Sequence, residues 1–278
     1  MSKLIFPIIS FSLLLCLSCG NYTKVLKSTD VDYKYEAAKE YYARGQFNRA
    51  SMILQTVITS MKGTEQGEES LYLFGMSNYH AENYESAVAI FRKYTQTYPK
   101  GIYTEDARYH IALALMAETP EPKLDQTSTY QAISEFQNFI EIYPYSKYRE
   151  QATANIYKLQ DILVEKEYLS AELYYKLGDY FGNCTNGGSN YQACIITAEN
   201  AIRDYPYTTL REKFAILILK AKFDLAEKSV ENKKVERYHN AIDEYYGFTN
   251  EYPESSFMEE ANKLFKKATK YTRTTEGS

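Results

Sequence analysis

From Val31 onward, apolar side chains recur every three to four residues, which is the spacing of one face of an α-helix. The last such stretch is clearest, because its apolar residues share one face and its lysines occupy the others. The apolar residues are Ala261, Leu264, Phe265, Ala268 and Tyr271, and the lysines are Lys263, Lys266, Lys267 and Lys270. Residues 19–30 lack this periodicity. The pattern therefore predicts a tether at 19–30, a helical array over 31–271 and a flexible tail at 272–278.

A Tyr-Pro pair interrupts the helical pattern at four places, namely Pro99, Pro144, Pro206 and Pro253. Each proline is followed by a small or hydroxyl residue, then a large apolar residue, then glutamate, at intervals of two. Proline cannot continue a helix, Ser or Thr can cap the next one, and Glu in the first turn suits the helix dipole. Recurrence of this helix stop and start indicates a repeat array.

The second repeat unit sets the register of the array. With Glu68 as position 1, the residues at positions 8, 17, 20, 24 and 32 are Gly75, Tyr84, Ala87, Phe91 and Pro99. This is the pattern of the tetratricopeptide repeat, in which small residues let paired helices approach closely. The other units begin at Val31, Glu105, Glu150 and Glu212. We therefore predict an all-α, tetratricopeptide-like α-solenoid of five helix pairs plus a C-terminal capping helix.

Three stretches depart from the plain repeat. The third unit carries an insert from Glu118 to Thr129. The fourth unit opens at Glu150 with an unusually long helix, predicted to reach Phe181, and a loop rich in Gly and Asn follows at residues 182–190. In the fifth unit, the run of charged residues at 231–236 is predicted to be the turn between two helices.

The first 18 residues have the layout of a secretory signal. Lys3 precedes an apolar run that is shorter than the roughly 20 residues needed to span a bilayer. The run ends in Leu15-Cys16-Leu17-Ser18-Cys19-Gly20, which is similar to the lipobox of bacterial lipoproteins. We expect acyl chains such as palmitate on Cys19 to hold the protein at a membrane surface. The alternative is an ordinary cleaved signal with an incidental cysteine.

Charge and cysteine content narrow the partners and the compartment. The formal net charge of the 278 residues is −4, and a nucleic-acid partner would require a strong basic patch, so we expect none. Residues 19–210 are acidic on balance, whereas residues 211–273 are slightly basic. In an oxidising compartment, Cys184 and Cys194 could form a disulfide, and a buried free thiol at Cys194 is the alternative.

Little in the sequence indicates catalysis, and the most informative residues are aromatic. The three histidines lie in separate units without a catalytic or phosphate-binding motif, so we expect no enzyme, no cofactor and no metal site. Aligned units place Tyr35, Tyr72 and Tyr109 at position 5, and Tyr42, Tyr79 and Met116 at position 12. These positions face the concave groove in tetratricopeptide arrays, so the sequence predicts a peptide-binding groove. The alternative is that these residues pack between neighbouring helices.

The array behind its lipobox resembles the BamD (ComL) family of outer-membrane assembly lipoproteins. The resemblance is most specific at Asp125-Gln126-Thr127, over residues 132–148, and in the long helix through Glu167-Tyr168 and residues 171–175. It implies a non-enzymatic scaffold on the periplasmic face of the outer membrane. The implied partners are a BamA-type β-barrel insertase, other subunits of the assembly complex and unfolded outer-membrane protein segments. In that family the N-terminal units are associated with substrates and the C-terminal units with BamA.

Two other classes of protein remain open on the sequence. One is another periplasmic tetratricopeptide lipoprotein that serves as an adaptor for cell-envelope or division machinery. Such adaptors usually lack the Asp125-Gln126-Thr127 insert and the long fourth-unit helix. The other is a glycan-binding helical-repeat lipoprotein, but those proteins are usually longer and use tryptophan platforms, and this chain has no tryptophan.

Overall fold

The computed structural model describes residues 21–180 and 189–276, and these residues form helices joined by turns and loops. A short helical segment occupies residues 21–27. The helices that follow are α1 (Val31–Ala43), α2 (Phe47–Val57), α3 (Glu65–His80), α4 (Tyr84–Thr97), α5 (Thr104–Ala117), α6 (Thr127–Ile142), α7 (Arg149–Leu177), α8 (Asn190–Asp204), α9 (Arg211–Glu227), α10 (Glu231–Glu251) and α11 (Met258–Glu276).

The helices pack as the repeat pattern predicts. The chain divides into two compact units, one with residues up to 120 and 126–156, and the other with 121–125 and the residues from 157 onward. In the first unit each helix from α1 to α6 contacts the next, and the first helices of neighbouring pairs also touch, α1 with α3 and α3 with α5. In the second unit α8 to α11 pack in the same order, and α9 also touches α11. The chain is an all-α, tetratricopeptide-like α-solenoid.

The Tyr-Pro turns share one backbone geometry. The tyrosine before each proline is the C-cap of its helix, with φ between −123° and −128° and ψ between 63° and 67°. This conformation follows from the proline, which disfavours helical dihedrals in the preceding residue. The hydroxyl after the proline accepts a hydrogen bond from the N–H two residues later, as at Ser146 (3.0 Å from Tyr148 N) and Thr208 (3.1 Å from Leu210 N). The hydroxyl therefore closes the turn and stands just outside the next helix.

Close helix pairing depends on the glycine at position 8 of the second repeat. A Cβ atom on Gly75 would lie 2.5 Å from Cε1 of Phe91, whose side chain is fully buried. Alanine has the better helix propensity by about 1 kcal/mol, but the buried ring cannot move away without strain. We expect Gly75→Ala to lower the free energy of unfolding by about 1–3 kcal/mol, as measured by urea titration with circular dichroism.

Gly247 provides the matched control for this substitution. It also lies within a helix, α10, but a Cβ atom there would meet nothing within 4 Å. Gly247→Ala should therefore raise the free energy of unfolding by about 0.5–1 kcal/mol through helix propensity alone. An equal stabilisation by both substitutions would contradict close packing at Gly75.

The predicted tether at 19–30 is wrong for residues 21–27, which form a helix. Val25 is 2% exposed, and the Tyr22 ring packs edge-on against Tyr41 with centroids 5.6 Å apart. Tyr22, Val25 and Leu26 follow a helical spacing of three and four, so they form an apolar face that packs on the core of the first helix pair. The predicted signal at 1–18, with residues 19 and 20, lies outside the described residues.

Two predicted boundaries near the C-terminus also change. Helix α11 runs to Glu276 and Thr272 is buried, so the last helix passes the predicted end of the array at Tyr271. The predicted turn at 231–236 is wrong, because α10 begins at Glu231. Charged residues are good helix formers there, since Glu231 pairs with Lys234 at 2.8 Å and accepts a hydrogen bond from the Tyr271 hydroxyl at 2.6 Å.

Candidate binding surfaces

The position-5 tyrosines connect each helix pair to the next. Each hydroxyl donates to the residue at position 2 of the following unit; the pairs are Tyr35 with Glu69, Tyr72 with Asp106, and Tyr109 with Gln151. Tyr35 is 2% exposed and Tyr109 is 5% exposed. The assignment of Tyr35 and Tyr109 to a peptide groove is therefore corrected. Their rings pack between repeats, and Tyr72 is half-buried in the same arrangement.

Aromatic stacking fastens the Tyr-Pro turns to these tyrosines. The Tyr72 ring stacks on Tyr103 and the Tyr109 ring on Tyr148, each with centroids 4.3 Å apart and nearly parallel planes. Tyr103 and Tyr148 are the large apolar residues four after the proline. The sequence reasoning missed both these rings and the hydrogen-bond acceptors. A polar residue at position 2 of the second, third and fourth units was the signal that could have revealed the acceptors.

Asp106 is the most highly connected of the acceptors. Its carboxylate accepts hydrogen bonds from the hydroxyls of Tyr72 and Tyr148, and Nδ1 of His110 lies 3.1 Å from Oδ2. Burial alone would raise the pKa of Asp106, but the hydrogen bonds from His110, Tyr148 and Tyr72 outweigh it and hold the pKa well below its usual value. Asp106 is therefore an ionised link that joins the second repeat, the third repeat and the Tyr-Pro turn after the third repeat.

The position-12 row, Tyr42, Tyr79 and Met116, keeps more accessible surface. All three side chains are half-buried. The Tyr42 ring contacts Phe47 edge-on at 5.4 Å, and the Tyr79 ring contacts Tyr84 at 5.6 Å in the same geometry. Burial raises the pKa of both tyrosines, so they stay uncharged near neutral pH. The Tyr42 and Tyr79 rings are held in place by their aromatic neighbours, and part of each side chain remains accessible to solvent.

A second surface of the first compact unit was not predicted from the sequence. A cleft of about 550 Å³ lies beside the Tyr143-Pro144 turn, and we name it the Tyr145 cleft; its lining includes Ile102, Glu105, Ile142, Tyr145 and Ser146. Tyr145 is 100% exposed and Ile102 is 79% exposed. Such exposed apolar side chains around a concavity are typical of interaction sites. The signal in the sequence was a tyrosine directly after a proline, outside the apolar periodicity.

The two cysteine predictions remain predictions. Cys19, the expected lipidation site, and Cys184 lie outside the described residues. Cys194 is fully buried, and burial raises the pKa of its thiol to about 12. No helix among residues 21–180 and 189–276 is long and apolar enough to cross a membrane.

Fold and repeat geometry define the class of this protein as a tetratricopeptide-like helical-repeat protein. Residues 28–219 match the family model YfiO, described as an outer membrane lipoprotein, and the chain belongs to this family. That result confirms the resemblance to the BamD family seen in the sequence.

Individual proteins also show similarity to the chain. Over 156 residues it is 24% identical to the outer membrane protein assembly factor BamD of Caulobacter vibrioides, a match that covers 56% of this chain. The match spans 51% of that relative, or about half its length. A crystal structure of a Podospora anserina putative kinesin light chain with tetratricopeptide-like repeats is similar over 89% of this chain and 97% of its own, with 14% identity and a TM-score of 0.33.

Proposed function

We propose that this chain is a lipoprotein scaffold of the β-barrel assembly machinery, anchored through Cys19 in the outer membrane and facing the periplasm. It binds the periplasmic domains of a BamA-type insertase and unfolded outer-membrane protein segments without a catalytic step. The observation that carries the proposal is the family match over residues 28–219, in a chain similar to an assembly factor. Stacked helix pairs with exposed apolar clefts support a role in holding other polypeptides.

Affinity purification of the native lipoprotein from solubilised outer membranes tests this function. A BamA-type insertase should co-purify, and depletion of the lipoprotein should reduce the amount of folded barrel proteins in the membrane. A Cys19→Ser variant, which cannot be acylated, should fold equally well but no longer fractionate with the outer membrane. Recovery of division or cell-wall enzymes without an insertase would contradict the proposal and favour the adaptor class.

We assign substrate binding to the first compact unit, residues up to 120 and 126–156, where the Tyr145 cleft and the position-12 row lie. Replacing Ile102 and Tyr145 together by serine should weaken binding of an aromatic-rich peptide from a barrel protein by about 2 kcal/mol, since two apolar contacts are lost. Tyr145 is fully exposed, so its replacement should leave the free energy of unfolding nearly unchanged. Fluorescence anisotropy of the labelled peptide measures the change in affinity.

Tyr207→Ser is the control for this experiment, because Tyr207 follows Pro206 in the same Tyr-Pro-Tyr context and is 91% exposed. It lies in the second unit and should leave peptide affinity unchanged. Replacing Tyr42 and Tyr79 by alanine separates the two surfaces. If only this variant loses affinity, the position-12 row holds the peptide and the Tyr145 cleft does not.

A further inference from the structure

Two departures from the plain repeat meet at one surface of the second unit. The end of the insert, residues 121–125, belongs to that unit together with the C-terminal part of α7. Nζ of Lys166 donates a hydrogen bond to the carbonyl oxygen of Leu124 at 3.1 Å. Beside this contact lies a groove of about 380 Å³, which we name the insert groove; it is lined by Lys123, Lys166, Leu169, Ser170, Glu172, Leu173 and Lys176. An ordinary repeat, with neither the insert nor the longer helix, would not form this groove.

The groove carries an apolar stripe on an exposed side of α7. Leu169 and Leu173 are four residues apart and thus share one helix face. Leu173 is 57% exposed, and Leu124 on the insert is also 57% exposed. The buried side of the same helix packs Val164 and Ala171 into the core of the second unit. Leucines at this spacing beside a concavity fit the apolar face of a partner helix.

The charges around the stripe are mostly positive. Lys123, Lys166 and Lys176 line the groove with a single carboxylate, Glu172, which pairs with Lys176 at 2.7 Å. Lys123 is exposed at the rim, and the chain as a whole is acidic, with a net charge of −4. A basic rim on an acidic protein selects partners by charge, because like-charged segments are repelled and acidic ones are attracted.

We propose that the insert groove binds an acidic, amphipathic segment of a partner polypeptide. The segment seats apolar side chains on Leu169 and Leu173 and places carboxylates near Lys123 and Lys176. A membrane surface fits less well, because Leu169 and Leu173 line a concavity and do not stand on a projecting face. This inference holds whichever machinery the chain serves.

Site-specific photo-crosslinking tests the proposal in the full-length lipoprotein in its native membrane. With benzoylphenylalanine in place of Leu173, illumination should yield adducts whose cross-linked segment, mapped by mass spectrometry, has net negative charge and apolar residues at helical spacing. The double variant Lys123→Glu with Lys176→Glu should reduce the adduct by about tenfold, because both rim charges become repulsive.

A second double variant, Lys263→Glu with Lys270→Glu on α11, controls for charge alone. Lys263 pairs with Glu259 at 2.7 Å in the same i,i+4 arrangement as Lys176 with Glu172, so both variants break an equivalent surface pair. This control should leave the adduct intact, and circular dichroism should show native helicity in every variant. The proposal fails if benzoylphenylalanine at position 173 gives no polypeptide adduct, if it gives phospholipid adducts instead, or if the mapped segment is neutral or basic. It also fails if the adduct survives the charge reversal at Lys123 and Lys176, or if the charge reversal on α11 reduces the adduct equally.

Discussion

Tyr94→Ala is expected to lower the free energy of unfolding by about 3–5 kcal/mol, the largest loss of any single substitution considered. Tyr94 is fully buried and ranks first by volume among the fully buried side chains of the described residues. It stands at position 27, where the tetratricopeptide repeat usually has a small residue, so alanine restores the common repeat residue but leaves a cavity shaped for a phenol. Urea titration followed by circular dichroism measures the loss.

The hydroxyl of Tyr94 accounts for a separable part of this effect. It donates to Oε1 of Glu68 at 2.6 Å and accepts from the N–H of Tyr103 at 3.2 Å. The same Glu68 oxygen accepts from the N–H of Ile102 at 2.8 Å, so the network holds the turn after Pro99. Tyr94→Phe keeps the ring and should cost about 1–3 kcal/mol, because it removes the hydrogen bonds to the half-buried Glu68 carboxylate and the Tyr103 N–H.

Tyr145→Phe is the control for removal of a hydroxyl, since Tyr145 is 100% exposed. It should change the free energy of unfolding by less than about 0.5 kcal/mol. If Tyr94→Ala costs no more than Tyr145→Phe, the packing described around Tyr94 is wrong.

Asp106→Asn is expected to lower the free energy of unfolding by about 2–3 kcal/mol at pH 7, because charge-assisted hydrogen bonds from two tyrosines and a histidine are weakened together. The loss should also depend on pH. The folded-state pKa of Asp106 lies well below its usual value, so its stabilising contribution is fully present above about pH 4 and is lost as pH falls further. The difference between wild type and Asp106→Asn should therefore shrink below pH 4 by up to about 1.4 kcal/mol per pH unit.

The third tyrosine pair provides an uncharged comparison for this titration. Gln151 accepts from the Tyr109 hydroxyl at 3.2 Å, and its amide does not titrate. Gln151→Ala should lower the free energy of unfolding by about 1 kcal/mol, and the loss should be the same at pH 3 and pH 7. Urea titrations at several pH values measure both variants. A pH-independent loss for Asp106→Asn would show that the carboxylate is not the ionised hub described above.

Helix boundaries and turns that depend on proline, glycine and capping residues could be predicted from the sequence. Helix α1 begins at the predicted Val31, and α7 and α9 begin one residue before the predicted Glu150 and Glu212. Gly45, in the turn between α1 and α2, has φ of +72°, a conformation that glycine adopts without steric cost. These boundaries depend on proline, glycine and hydroxyl residues whose backbone preferences act within a few residues, so the surrounding fold does not need to be known.

The fate of the tyrosines could not be predicted in this way. A tyrosine at position 5 suits both a peptide groove and packing between repeats, and the choice depends on an acceptor in the next unit, such as Glu69 for Tyr35. The charged stretch at Glu231 was predicted as a turn because charge alone does not distinguish a solvated helix start from a loop. The Tyr145 cleft was not predicted, because Tyr145 lies in a turn, and hydrophobic periodicity identifies the exposed and buried faces of helices only.

The tyrosine hydrogen bonds between repeats affect how the first compact unit unfolds locally. Because each hydroxyl ties its own helix pair to the one after it, the links couple nearest neighbours and leave distant pairs independent. Cutting the link at Asp106 should therefore let amide protons of α1 to α4 exchange with deuterium sooner than those of α9 to α11. The array would then fray from its N-terminal end, and partial unwinding there would leave α9 to α11 protected.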